Sequence, residues 1–210
     1  MEQAIDGTRL DILLAAESLF AEHGMNGVSL RQITAKAGVN LAAVNYHFYD
    51  KESLCRDIII HRLRSINAMR LVELNEVERR SADGVIPLPD IMAIMARSML
   101  LCDGTPIAYN PASRRLLGRF LTEPLPFFAD TLSTELQPAM TRFGQAIRRH
   151  SPSLSPEDFV WRYSFVVGAL HQAMATLHDM SFRTSGLCRN DDAEMALKNF
   201  IVFAVQAFAR

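Results

Sequence analysis

The chain has 210 residues, is 49% hydrophobic and carries a formal net charge of −1, enough apolar material for a packed core and too little base for a protein coated in cations for nucleic acid. Three scattered cysteines, Cys55, Cys102 and Cys188, exclude an even disulfide framework and a zinc-ligand cluster. The start MEQAIDGTRLD has no apolar stretch to direct export, and the most apolar tract, 159–182, is broken by Arg162, His171, Gln172 and His178, so a soluble cytoplasmic protein with no membrane partner is expected.

From Ile12 the apolar residues Leu13, Ala16, Leu19 and Phe20 recur on one helical face, and Gly24 marks the stop. Ser29-Leu-Arg-Gln32 reads as a capping box opening a second helix at Leu30, with Val28 stapled onto Ile33. Gly38 ends that helix in a left-handed turn, and Asn40 caps a short third one, with Val39 stapled onto Val44. Asp50 then caps a fourth helix, with Tyr49 stapled onto Leu54, whose apolar period continues past Ile66, long enough to link two domains. The stretch 79–89 has turn chemistry and no period. Beyond it, helices are predicted over Asp90–Cys102, Pro111–Thr122, Leu125–His150, Pro156–Met180 and Asp191–Ala209. The prediction is an all-α chain of about nine helices: a helix-turn-helix head over 6–66, with its motif at about 29–48, and a helical ligand-binding and dimerisation domain over 67–210.

Two short helices at a tight glycine turn, braced by a preceding helix, are the arrangement that puts a second helix into the major groove of DNA. Residues 1–60 hold five Lys/Arg against eight Asp/Glu, yet from Ser29 to Lys51 the balance is Arg31, Lys36 and Lys51 against Asp50 alone. In the third helix Val44 and Phe48 face inward, leaving Ala42, Ala43, Tyr46 and His47 outward. Small residues there let the backbone approach a groove, while Tyr46, His47 and Lys51 can donate to phosphates. With Ser29 and Asn40 at the helix starts and Asn45 beside Tyr46, these residues and Arg31 form the candidate DNA face.

The run Ile12-Leu13, Ala15-Ala16, Leu19-Phe20, Gly24, Ser29-Leu-Arg-Gln-Ile-Thr-Ala-Lys-Ala-Gly-Val39, Tyr46-His-Phe48 and Lys51-Glu-Ser-Leu54 resembles the TetR family. That resemblance implies an α-helical homodimer on near-palindromic operator DNA, acting as a repressor, with a C-terminal domain that binds a small effector. It implies that Arg31 is a groove or phosphate contact, that Tyr46 and His47 hold phosphates, and that Lys51 anchors the start of the fourth helix. Asn45 departs from the family, which has a Tyr there; it either reaches an adenine edge or solvates the groove mouth. The runs Ala37–Phe48 and Trp161-Arg162-x-x-Phe165-x-x-Gly168-Ala169 are similar to the PsrA-like, fatty-acid-responsive branch, which implies a long-chain acyl effector.

In the C-terminal half, Met69, Met92, Met95, Met99, Phe120, Phe127, Phe128, Met140, Phe143 and Met174 are either core or the lining of a pocket. Arg119, Arg162, His171 and His178 stand in apolar helical stretches and either bridge helices or meet a ligand's anionic end. Trp161 and Phe165 join the candidate ligand residues through the acyl-branch likeness. The helices from Pro156 and Asp191 are apolar on more than one face, which calls for a partner chain over the remainder. No cofactor is expected. No nucleophile elbow, zinc-protease motif or phosphate loop occurs, so catalysis is not expected; a ligand-independent DNA binder, a thiol sensor and a helical acyl-processing enzyme are the alternatives.

Overall fold

The computed structural model describes residues 7–81, 83–102, 110–122 and 129–209, and among these there is helix and no strand. The chain divides into two compact units, Met1–Arg62 and Leu63–Arg210.

In the first unit α1 (Gly7–His23) buries Ile12, Leu13, Ala16 and Phe20 and stops at Gly24, whose φ of 72° is the left-handed conformation a side chain would resist. The helix α2 (Leu30–Ala37) opens on the capping box: the Gln32 amide donates to Ser29 Oγ at 3.3 Å and the Ser29 amide to Gln32 Oε1 at 2.8 Å. Gly38, at φ 69°, closes it by donating its amide to the Thr34 carbonyl. Then α3 (Leu41–His47) starts where the Ala43 amide donates to Asn40 Oδ1 at 2.9 Å, and α4 (Lys51–Arg80) where the Ser53 amide donates to Asp50 Oδ1 at 2.6 Å. Val28, Ile33, Val44, Leu54 and Ile58 join the α1 face to form the core. Within it lies a forked ion pair, Arg62 Nε to Glu17 Oε1 at 2.7 Å and Nη2 to Oε2 at 2.5 Å. One expected staple is absent: Leu54 is fully buried, but Tyr49 is 92% exposed and has nothing to pack under.

The second unit holds the rest of α4 with α5 (Leu88–Leu100), α6 (Pro111–Thr122), α7 (Ala129–Arg148), α8 (Pro156–Thr176) and α9 (Ala193–Phe208). The α5 helix begins two residues before the expected Asp90, because Pro89 in its first turn needs no amide partner and so does not delay it. At the other end α8 stops short of the expected Met180. The Leu177 carbonyl, which Ser181 would take in a continued helix, accepts the Asp191 amide at 2.8 Å, and the Ser181 amide donates to Asn190 Oδ1 at 2.7 Å instead. A 3-10 turn (Leu177–Asp179) and a single helical turn (Met180–Arg183) follow. The remaining nine helices among the described residues match the expected number.

The α6 helix packs on α8 and α9 on α5. The α6–α8 crossing is close at Gly118, where a Cβ would stand 2.4 Å from the Ala175 nitrogen and 2.8 Å from Met174 Cβ. Backbone cannot yield as a flexible side chain does, so Gly118→Ala is expected to cost about 1–3 kcal/mol. A fall in the urea midpoint at unchanged slope is the check; an unchanged midpoint would mean the helices separate freely.

Candidate DNA interface and effector cavity

In the first unit α2 and α3 hold the candidate DNA face in place by burying Ile33 and Val44, which leaves the opposite sides of both helices in solvent. Ser29, Arg31, Asn40, Ala42, Asn45 and Tyr46 are exposed, while Ala43, His47 and Lys51 are partly so. Ser29 and Asn40 spend their side-chain oxygens on capping, so their roles are first to fix where the helices begin. Tyr46 stands 85% exposed with its ring edge-on to His47 at 5.0 Å. Lys51 Nζ donates to the Val28 carbonyl at 3.1 Å, which ties the start of α4 to the turn before α2 and leaves two ammonium protons for a phosphate. Arg9 braces the same region from behind, pairing with Asp57 at 2.6 Å and lying 5.2 Å over the Phe48 ring. Tyr49, expected to pack onto Leu54, lies one residue beyond Phe48 with its side chain in solvent beside this face.

The second unit contains a small cavity of about 30 Å³. Arg70 from α4, Met95 and Met99 from α5, Met140 and Phe143 from α7, and Tyr163, Leu170 and His171 from α8 line it. Of the candidate ligand residues, Met95, Met99, Met140, Phe143 and His171 stand in this wall. Phe120 is buried elsewhere, and Phe127 and Phe128 lie outside the described residues. Arg119 is exposed on α6, because its helix turns Leu116, Leu117 and Phe120 inward. Arg162 does not meet the cavity either; its Nη1 donates to the Ala207 carbonyl at 2.8 Å and pins α8 to the end of α9. Trp161 and Phe165 are 64% and 62% exposed, on the side of α8 opposite Tyr163, Val166 and Leu170, so neither can line the cavity in this protomer.

Sequence reasoning passed over Arg70, the one arginine or lysine among the described residues that line the cavity, although its spacing four residues after Ile66 and four before Leu74 sets it on the buried stripe of α4. Arg70 is 6% exposed: Nη1 donates to the Met95 carbonyl at 2.8 Å and lies 2.9 Å from Met99 Sδ, Nη2 bonds Asn67 Oδ1, and the guanidinium sits 5.5 Å from the Phe143 ring centre. Tyr163 donates its hydroxyl to the Met140 carbonyl at 3.0 Å, and burial pushes its phenol up to about 12. Burial first and the Arg70 charge second push His171 down to about 4, so at neutral pH it is an uncharged imidazole. In the other direction, burial pushes the Cys55 thiol up to about 12, which keeps it protonated and unreactive.

The His171 shift makes a stability prediction. Between pH 6.5 and about 4 the unfolded chain takes up a proton at this residue that the folded chain refuses, so its contribution is complete above 6.5 and is lost as pH falls through that window. Because His171 keeps part of its surface in solvent, the loss is on the order of 2 kcal/mol. Urea unfolding of His171→Gln should weaken less than wild type between pH 7 and pH 4.5; parallel profiles would contradict the buried neutral imidazole.

Comparison with known proteins places the chain. Residues 12–58 match the family model described as bacterial regulatory proteins, tetR family, and residues 110–207 match that of the tetracyclin repressor-like C-terminal domain. The HTH-type transcriptional repressor BepR of Brucella suis is 46% identical over 52 residues, a quarter of the length of each protein. The Bacillus subtilis transcriptional regulator FadR in complex with stearoyl-CoA is 12% identical and superimposes with a TM-score of 0.61 over 91% of this chain and 97% of its own. SmeT in complex with triclosan is 22% identical, with a TM-score of 0.62 over 98% of this chain and 93% of its own. With the head and the C-terminal half each matched by a model of one family, the chain belongs to the TetR family of DNA-binding transcription regulators.

Proposed function

We propose that this regulator is a homodimeric repressor that holds a near-palindromic operator through α2, α3 and the start of α4, and lets go when a small, largely apolar ligand with one anionic end enters the second unit. The observation that carries the ligand half is the cavity walled by Arg70, Met95, Met99, Met140 and Phe143. At about 30 Å³ it admits a head group and no tail, but methionine side chains re-pack at low cost, so the three that line it can open space for an alkyl body. A long-chain acyl species fits this reading, and FadR with stearoyl-CoA supports it by fold; SmeT with triclosan supports an aromatic ligand equally well. The α4 helix carries both Lys51 and Arg70, so a tilt imposed at Arg70 would reach the DNA-binding end. Only one separation of the two recognition helices fits half-sites ~10 base pairs or a larger helical repeat apart. A ligand preferring the non-binding geometry by ~1.4 kcal/mol lowers operator affinity tenfold.

Such a regulator works in the cytoplasm, and no described helix is long and apolar enough to cross a membrane. We read it as a non-enzyme; hydrolysis of acyl thioesters by the purified protein would oppose that reading. Operator titration with and without palmitate, palmitoyl-CoA and planar aromatic drugs tests the effector. Release by aromatics alone would remove the acyl assignment, and release by none would remove the sensor reading.

On the DNA side, Arg31→Ala and Lys51→Ala are each expected to weaken operator binding by about tenfold, from one lost charged contact. Lys51→Ala should weaken all sequences alike and flatten the salt slope by ~1, the signature of one phosphate contact. Loosening of the Val28 tie alone would leave the salt slope untouched. Wild-type affinity in both variants at physiological salt would rule out this DNA face.

A further inference from the structure

We propose that Arg70 makes the cavity a receptor for a free carboxylate, the head group of a small apolar organic acid, and that it discriminates against the neutral amide or thioester of the same acid. The inference rests on the reading above that the cavity is the effector site, and it names the chemistry of that site.

The make-up and geometry of the wall carry it. The cation in the wall is an arginine, permanently charged and almost fully withdrawn from water, so a carboxylate that meets its Nη1 forms a charge-assisted bond with little screening. No carboxylate stands among the described residues that line the cavity, so an entering anion meets positive potential and no like charge. One acceptor facing Arg70 Nη1 is the Met99 thioether, at 2.9 Å. Sulfur is a weak acceptor on a flexible side chain, and a ligand oxygen that displaces it gives Nη1 a much stronger bond. The remaining grip on the guanidinium stays in place: the Met95 carbonyl at 2.8 Å on Nη1, Asn67 Oδ1 on Nη2 and the face of Phe143. His171, across the cavity, has an uncharged ring that can donate one N–H to the second oxygen, while Tyr163 is occupied with the Met140 carbonyl. The apolar remainder of the wall, Met140, Phe143 and Leu170, suits an alkyl or aryl body. A thioester carbonyl is neutral and forms no ion pair with the guanidinium, so the free acid is preferred over its coenzyme A conjugate.

The test uses the full dimeric chain and four probes, octanoate, octanamide, octanoyl-CoA and triclosan, with binding read by calorimetry and operator release by titration. Octanoate is expected to bind about 10- to 100-fold more tightly than octanamide, the range for a hydrogen bond to a charged partner. In Arg70→Gln, with helicity checked by circular dichroism, the acid-to-amide ratio should fall to near one; should that variant fail to fold, the wild-type ratio decides alone. Equal binding of acid and amide, tighter binding of octanoyl-CoA, or no binding of octanoate overturns the carboxylate assignment. Octanoate that binds with this preference yet leaves the operator occupied upholds the carboxylate site and removes the effector reading. Release by triclosan with no acid preference does the reverse.

Discussion

Replacing Glu17 with alanine is expected to lower the stability of the DNA-binding head by about 3–5 kcal/mol, the cost of breaking a buried ion pair from one side. Arg62 and Glu17 are 3% and 5% exposed and meet in a two-pronged pair that joins α1 to α4 inside the first unit. Truncating the acid removes both acceptors of the fork and leaves the buried guanidinium without this counter-charge. The loss therefore exceeds anything a surface pair yields, which is at most about 1 kcal/mol. The pair and its absence are not symmetrical. Replacing both residues at once, Glu17→Leu with Arg62→Met, removes the desolvation cost along with the attraction, so the double variant should recover most of what the single one loses. Urea unfolding of the three proteins gives the comparison. A Glu17→Ala midpoint equal to wild type would show that the pair contributes nothing, and a double variant weaker than the single one would show that it contributes more than its desolvation costs.

The parts of this fold written in local chemistry are the parts the sequence discloses. Ser29 with Gln32, Gly38, Asn40 and Asp50 specify helix ends through bonds that span three or four residues, and α2, α3 and the start of α4 stand where those residues set them. Helix α6 runs over Pro111–Thr122 as its flanking breakers dictate. What escapes is decided by distant partners. The early end of α8 depends on Asn190 and Asp191 capturing groups at Leu177 and Ser181, and no periodicity within the helix carries that. Arginine is the sharpest case. Arg119, Arg162 and Arg70 all sit in apolar helical stretches, yet one lies in solvent, one caps a neighbouring helix and one faces the cavity. The phase of each on its own helix separates them only once the buried stripe is known, and Arg70 alone repeats the spacing of Ile66 and Leu74.

Phase also separates two apolar faces that composition merges. The α8 helix turns Tyr163, Val166, Leu170 and Met174 into its own unit and leaves Val160, Trp161 and Phe165 outside, while α9 buries Leu197, Phe200, Ala204 and Phe208 and exposes Met195, Val202 and Phe203. Large apolar side chains aligned on two neighbouring helices make a patch that a second copy would cover as a two-fold four-helix seam. Two substitutions of the same kind should then behave differently. Phe200→Glu places a charge in the protomer's own core, where it has no partner, and is expected to unfold the chain. Trp161→Glu changes a residue that is 64% exposed in the protomer, so the helical fold should survive while the seam, which cannot bury an unpaired carboxylate, comes apart. Separated protomers each hold one half-site, so operator affinity should fall by two orders of magnitude or more, roughly the gain from linking two binding modules. Sedimentation at micromolar concentration, circular dichroism and operator titration read the three consequences together. A Trp161→Glu protein that remains dimeric at wild-type affinity would move the seam off α8, and one that loses its helicity along with its dimer would show that the protomer cannot stand without its partner.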